Sequence, residues 1–305
     1  MISLKNDQIN FFKKHGWVKS SLGLNSSEIA EYRNATLNLV KKAKEINYPY
    51  KRIYHDYLLD FNLAAIECPL NKSICDTRLY DLFRKIKLGN SVKNLMGWRE
   101  TFCSLIRLFC MGNYNYEGDW HQDSTKENQG IQICIYLKDE SGFRIIKKDK
   151  ENEIFNSFFG RDRQPLFTSL PLKIPDEYFS SISAKAGDVL FFDPTLLHQG
   201  FCEKSRLQFH MRFKDVTTFD PYEVTDNDKD IFDFKMIKSY EINLDIKNKK
   251  LNFPQQKQRA LLYRCFNSIN YYIPFLNFHR YLKLKKIHKE NGLRFDLFAN
   301  TFYQK

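Results

Sequence analysis

From about Thr101 the chain breaks into short apolar, β-branched or aromatic segments separated by turn residues, and this rhythm restricts its fold more than any other feature. The segments fall at 101–110, 131–137, 143–146, 182–184, 189–192 and 207–213. Runs of that length, rich in Ile, Val, Leu and Phe, are strand signals. Many short strands after a helical start point to a mainly β protein, a sandwich or barrel with helices on one face. The last segment is the clearest. In Arg206-Leu-Gln-Phe-His-Met-Arg-Phe213 the odd positions are apolar and the even ones polar, so the strand has a dry face and a polar one.

The N-terminal part reads as helix, strand, helix. Residues 7–16 form a short amphipathic helix with Ile9 and Phe12 on one side and Gly16 closing it. Trp17-Val18 begins a strand. Asn25-Ser-Ser-Glu28 opens a second helix, since Glu three positions after a capping residue can return a bond to the exposed amides. That helix is expected to run to about Lys44. Residues 50–100 read as largely helical, with Leu79, Leu82, Phe83 and Ile86 spaced as a buried stripe.

Composition removes several classes. With 43 % hydrophobic and 15 % aromatic residues over 305 positions, the chain is not a disordered one and can bury a large core. The 7 cysteines are scattered without a Cys-x-x-Cys pair, which excludes a zinc ribbon and a disulfide scaffold and reads as reduced thiols. The opening residues lack the apolar stretch of a signal peptide, and no apolar run has the length of a membrane span. A cytoplasmic protein is expected, touching a membrane only from that side. The net charge of +12 is concentrated at the end of the chain. Residues 247–305 hold 13 Lys and Arg against 2 acids, while the first 246 hold 35 and 34.

One constellation carries chemistry. His121-Gln-Asp123 lies between a strand and a loop, and residues two apart in extended chain share a side. A second histidine, His198, follows the turn and strand Gly187-Asp-Val-Leu-Phe-Phe-Asp193. Two histidines and a carboxylate on one face of a ferrous ion leave three positions open, enough for a bidentate 2-oxo acid and O₂. Arg206, eight residues past His198, lies on the polar strand face and offers the fork that a distal carboxylate requires.

These residues, in this order, resemble the phytanoyl-CoA dioxygenase family of Fe(II)/2-oxoglutarate oxygenases. The resemblance spans about residues 4–215. It is carried by Gln8-Ile-Asn-Phe-Phe-Lys-Lys-His-Gly-Trp17, Ser27-Glu-Ile-Ala-Glu31, Trp120-His-Gln-Asp123, Ile131-Gln-Ile-Cys-Ile-Tyr-Leu-Lys-Asp139, Gly187-Asp-Val-Leu-Phe-Phe-Asp193 and the block from His198 to Arg206. It implies a double-stranded β-helix, a jelly-roll barrel like that of the cupins, with N-terminal helices on one face. It also implies iron held by His121, Asp123 and His198, with Arg206 on the C5 carboxylate of 2-oxoglutarate. Ser124 falls where some relatives place a small hydroxyl residue near the cosubstrate. Asp at position 123 favours hydroxylation over halogenation, because halogenating relatives open that coordination position. Two departures stand out. The family's Asn-Gly turn and Pro-Gly-Ser-His stretch are replaced by Glu140-Ser-Gly-Phe-Arg-Ile-Ile-Lys-Lys-Asp149, and the interval from His198 to the arginine is short. Arg212, on the same strand face, therefore stays a rival anchor.

Other residues have blander readings. His210 fits a hydrogen-bonded barrel position. Gln132, Cys134 and Tyr136 alternate with apolar neighbours and face either a pocket or packing. Arg107 suits a barrel-wall salt bridge as well as a ligand contact. His15, His55, His279 and His288 read as surface or packing residues. The chain divides into an oxygenase domain at 1–215 and a basic, aromatic-rich, helical extension at 216–305. In the extension, Tyr271, Tyr272, Phe275, Phe278 and Tyr281 are interleaved with Arg280, Lys283, Lys285, Lys286 and Lys289. That pattern is a solvated helical face, a contact with anionic membrane or, least of all, a nucleic-acid strand. The expected activity is hydroxylation of a small-molecule, lipid or glycan-intermediate carbon, with succinate and CO₂ as coproducts. Its competitors are a catalytically retired oxygenase fold that binds membranes or polyanions, and a nucleic-acid demethylase.

Overall fold

The computed structural model of the chain describes residues 2, 4–46, 51–56, 59–67, 69–70, 74–111, 116–117, 120–124, 130–154, 174–202, 205–218, 224–225, 232–237, 293–296 and 301–304. Its first helix, α1 (Asn6–His15), places Asp7 in the first turn and Lys13, Lys14 and His15 in the last, as the helix dipole favours. Gly16 ends it at φ 77°, with its N–H on the Phe12 carbonyl. The chain then enters β1 (Trp17–Ser21). Helix α2 (Ser26–Glu45) starts from the expected reciprocal cap. Glu28 N–H donates to Asn25 Oδ1 at 3.0 Å, and Asn25 N–H donates to Glu28 Oε2 at 2.9 Å.

Residues 50–100 depart from their largely helical reading. They begin with an antiparallel pair, β2 (Lys51–Asp56) and β3 (Leu59–Glu67), before α3 (Thr77–Ile86) and α4 (Leu88–Met96). The pair forms because β3 adds to the edge of β4 (Thr101–Met111), a long-range partner that no local pattern announces. The stripe on α3 is as expected: Leu79, Leu82, Phe83 and Ile86 are all buried.

The remaining strands are β5 (Tyr116–Glu117), β6 (Ile131–Tyr136), β7 (Glu140–Ile146), β8 (Phe179–Ala184), β9 (Asp188–Phe192), β10 (His198–Cys202), β11 (Arg206–Asp215), β12 (Val224–Thr225), β13 (Lys235–Ile237), β14 (Leu293–Asp296) and β15 (Thr301–Gln304). A nine-stranded sheet runs β1-β9-β6-β11-β4-β13-β12, with β3 and β2 added beside β4. A second, four-stranded sheet runs β5-β10-β7-β8. Neighbours in both are antiparallel except β13 and β4. The two sheets face each other as a double-stranded β-helix.

Strand alternation sorts the large sheet's side chains between two interiors. Ile131, Ile133 and Ile135 of β6, Val189 and Phe191 of β9, and Leu207, Phe209, Met211 and Phe213 of β11 pack against the helices in the main core. Their alternates Cys134, Tyr136, Leu190 and Phe192 point into the barrel and meet Phe143, Ile145, Ile182 and Ala184 of the small sheet. Each large side chain so buried contributes about 1.5–3 kcal/mol. The polar face of β11 thus looks into the barrel and not into solvent.

The chain continues this body past Asp215. Strand β13 pairs with β4, and Phe232 and Phe234 lie in the main core beside Phe83 and Phe213. The described residues of the extension form a 3-10 turn at Val216–Thr218 and short strands, not helices. The aromatic and basic residues singled out between 271 and 289 lie outside the described residues, as do His279 and His288. No helix among the described residues is long and apolar enough to cross a membrane.

Candidate metal centre

His121 follows the buried Trp120 and is set against His198 by an isolated antiparallel bridge. Each backbone N–H donates to the other's carbonyl, at 3.0 and 2.9 Å, and this brings the two imidazole centroids to 4.4 Å. Asp123 and Ser124 are pinned differently. Both backbone N–H groups donate to the Pro194 carbonyl, at 3.0 and 3.2 Å. Pro194 lies in the turn between β9 and β10, so the turn that leads into His198 also fixes the carboxylate.

The ligand atoms of His121, Asp123 and His198 all lie within 4.8 Å of one another. His121 Nε2 stands 3.9 Å from Asp123 Oδ1, and His198 Nε2 stands 3.5 Å from Oδ2. His198 is 2 % exposed, and its Nδ1 sits 2.9 Å from the Leu196 carbonyl, which can only accept. Nδ1 therefore carries a proton, and Nε2, directed at Asp123, is the nitrogen left for a metal. Phe143 and Phe192 flank the ring at 5.6 and 4.9 Å. Burial works to raise the Asp123 pKa. The hydrogen bond to His198 and the charges of His198, His121 and Arg212 outweigh it and hold the carboxyl well below the usual range.

Behind the carboxylate runs a second line of contacts. Gln132, fully buried on β6, donates from Nε2 to Asp123 Oδ2 at 2.6 Å. Its Oε1 is then the acceptor for His210 Nε2 of β11. His210 sits between Phe109 and Phe192, and burial pushes its pKa down to about 3, against the pull of Asp123 and with the push of Arg107 and Arg212. It is a neutral N–H donor, the barrel role expected of it. Arg212 comes within 3.4 Å of Asp123 Oδ2, and its Nε is buried with no hydrogen-bond partner among the described residues.

Arg206 is elsewhere. It lies six residues back along the same face of β11, where its Nε donates to Glu140 Oε2 at 3.1 Å. The two side chains are only 7 % and 3 % exposed. Burial lifts Glu140 to about 7, against the charge and hydrogen bond of Arg206 and a bond from the Leu207 N–H. Glu140 Oε1 and Gln208 Oε1 are buried acceptors with no partner among the described residues. Arg107 lies opposite His210 in the β4–β11 register and covers the Phe109 ring at 5.6 Å. His15 packs on Phe11 with ring centroids 4.3 Å apart, and the side chain of His55 is outside the described set.

The fold thus gathers His121, Asp123, His198, Ser124 and Arg212 at one place and sets Arg206 apart with Glu140. Two participants carried no distinct signal in the sequence. Gln132 was one polar residue in an alternating strand, and Glu140 stood in a stretch that matched nothing. The register of β6 against β11, which places Gln132 opposite Arg212, is what gives the first its position.

No protein-family model matches the chain, and none of the curated proteins does. Solved structures do. The non-haem α-ketoglutarate-dependent carbocyclase SnoK from nogalamycin biosynthesis aligns with a TM-score of 0.50 at 13 % identity, over 70 % of this chain and 85 % of that one. AviO1 from Streptomyces viridochromogenes Tue57 aligns with a TM-score of 0.50 at 14 % identity, over 71 % of this chain and 97 % of that one. At these identities the likeness is one of fold.

Proposed function

We propose that this chain is an Fe(II)- and 2-oxoglutarate-dependent oxygenase of the phytanoyl-CoA dioxygenase type that hydroxylates a carbon of a small-molecule, lipid or glycan-intermediate substrate. The observation that carries the reading is the convergence of His121, Asp123 and His198, from separate segments of the β-helix, within 4.8 Å of one another. The set fits the ion. Ligand atoms about 2.1 Å from an octahedral metal lie about 3 Å apart when adjacent; the carboxylate–imidazole separations of 3.5 and 3.9 Å are near that value, and all three ligand atoms lie within 4.8 Å of one another. Two neutral imidazoles and one ionised carboxylate on one face leave room for a chelating 2-oxo acid and O₂. SnoK, the structural relative described as α-ketoglutarate dependent, supports the same assignment.

When bound, iron and 2-oxoglutarate would supply the oxidising power for hydroxylation, with succinate and CO₂ as coproducts. The chain's own part is to hold the ion and shape its surroundings. His198 presents Nε2 because Leu196 holds its Nδ1 proton. Gln132 and Arg212 engage Asp123 Oδ2 and hold the carboxylate in place beside the two imidazoles. Phe143 and Phe192 exclude water from the His198 side. Arg206 is assigned the distal carboxylate of 2-oxoglutarate, with Arg212 as its rival. Ser124, buried and next in the chain to the ligand carboxylate, is assigned a role near the cosubstrate. The basic end of the chain supports a contact with an anionic membrane surface, and a cytoplasmic location is part of the same proposal.

Formation of succinate from 2-oxoglutarate, without any second substrate, tests the assignment. Slow, iron-dependent turnover that His198→Ala abolishes is expected. No succinate from fully iron-loaded wild type would favour the retired-fold alternative.

A further inference from the structure

We infer that Glu140 is part of the cosubstrate site: with Arg206 it receives the distal carboxylate of 2-oxoglutarate, as a neutral acid donating a hydrogen bond from Oε1. The inference rests on the oxygenase reading of the metal centre and adds a residue with no counterpart in the sequence resemblance.

Arg206 is already held through Nε by Glu140 Oε2 at 3.1 Å, in a part of the barrel nearly sealed from water. A second carboxylate brought to that guanidinium would stand beside the first in a dry interior. Like charges so placed do not both stay ionised, and one proton is shared between them. The structure marks the oxygen that would carry it. The Arg206 Nε–H that donates to Oε2 and the Leu207 N–H account for the ionised form's contacts, while Oε1 is buried with no partner among the described residues. A proton on Oε1 turns that lone acceptor into a donor aimed at a ligand. Burial has already brought the group to about 7, so the proton is readily taken up near neutrality.

The surroundings leave Glu140 as the group that titrates. From β11 it faces Arg206, which stays charged, and the uncharged Gln208. From β6 it meets the Cys134 thiol, pushed up to about 12, and the Tyr136 phenol, pushed well above its ordinary value, so neither ionises near neutrality. Ala184 is its register partner on β8. The neighbouring Asp139 is exposed and paired with Lys185. Binding of 2-oxoglutarate should then draw one proton from solvent. Affinity is constant below the pKa of the empty protein and falls above it by up to about tenfold per pH unit, until the pKa of the complex is reached.

The test is anaerobic calorimetry of 2-oxoglutarate binding to the iron-loaded full chain, in buffers of different ionisation heat, from about pH 6 to 9. Expected is an uptake approaching one proton per cosubstrate near pH 8, with affinity weakening as pH rises. Glu140→Gln, whose amide always donates, should take up none and bind with a flat pH profile, tighter than wild type at high pH. Wild-type binding that is pH-flat and releases or takes up no proton overturns the inference and leaves the oxygenase reading standing. It also needs no variant to fold. Loss of binding in Arg212→Ala with full binding in Arg206→Ala overturns it as well. Absence of binding at every pH overturns the oxygenase reading with it.

Discussion

Replacing Gln132 by leucine separates the support of the iron ligand from the ligand itself. The amide donates to Asp123 Oδ2 at 2.6 Å and accepts from His210, and it has no exposure to solvent. A buried hydrogen bond to a charged acceptor contributes about 1.5–3 kcal/mol, and a tenfold change in affinity is about 1.4 kcal/mol. Loss of support for a ligating carboxylate typically costs metal affinity by about 10–100-fold, which agrees with that range. The substitution also strands the His210 N–H, at a further cost of about 1–3 kcal/mol in folding stability. The two effects are separable. In the double variant Gln132→Leu/His210→Leu the stranded donor is gone, so stability should recover while metal affinity stays low. The assay is Co(II) titration followed by its visible spectrum, paired with urea unfolding of the metal-free chain. Wild-type affinity in Gln132→Leu, or affinity recovered in the double variant, would refute the support role.

Three further outcomes follow from the same geometry. His210 has a folded pKa of about 3 against an ordinary 6.5, so the unfolded chain binds a proton that the folded chain does not between those values. Stability is fully present above about pH 6.5 and falls with decreasing pH by about 1.4 kcal/mol per unit, roughly 2 kcal/mol by pH 5; urea midpoints at the two pH values should converge in His210→Leu. Gly16→Ala puts a methyl group into the Leu196 side chain at a position of φ 77°. It should lower stability by at least about 1–2 kcal/mol and weaken metal binding, because the Leu196 carbonyl fixes His198; unchanged Co(II) affinity would contradict that link. Leu82→Ala, at a fully buried position of α3, should cost about 2–5 kcal/mol in thermal or urea unfolding without altering the metal spectrum.

What the sequence disclosed and what it hid have physical causes. Local signals were legible: the reciprocal cap of Asn25 and Glu28, the glycine stop at Gly16, the buried stripe of α3 and the alternation of β11 each depend on neighbours within a few positions. The strand pair β2–β3 was not legible, because its reason is an edge of β4 some forty residues on. The three ligand types and their spacing stood out, since extended chain puts His121 and Asp123 on one side. Their environment did not. That β11's polar face points into the barrel depends on a second sheet covering it, and the Glu140–Arg206 pair depends on strands 66 residues apart. The aromatic and basic residues between 271 and 289 lie outside the described residues.

The proposed activity requires that His121, Asp123 and His198 hold an iron that 2-oxoglutarate can chelate. Anaerobic titration of Fe(II) and then 2-oxoglutarate into the purified chain reads this directly, through the visible metal-to-ligand charge-transfer band of the chelate. The band should appear with one equivalent of each and vanish in His121→Ala. No band in wild type, or an undiminished band in His121→Ala, would contradict the metal centre described here.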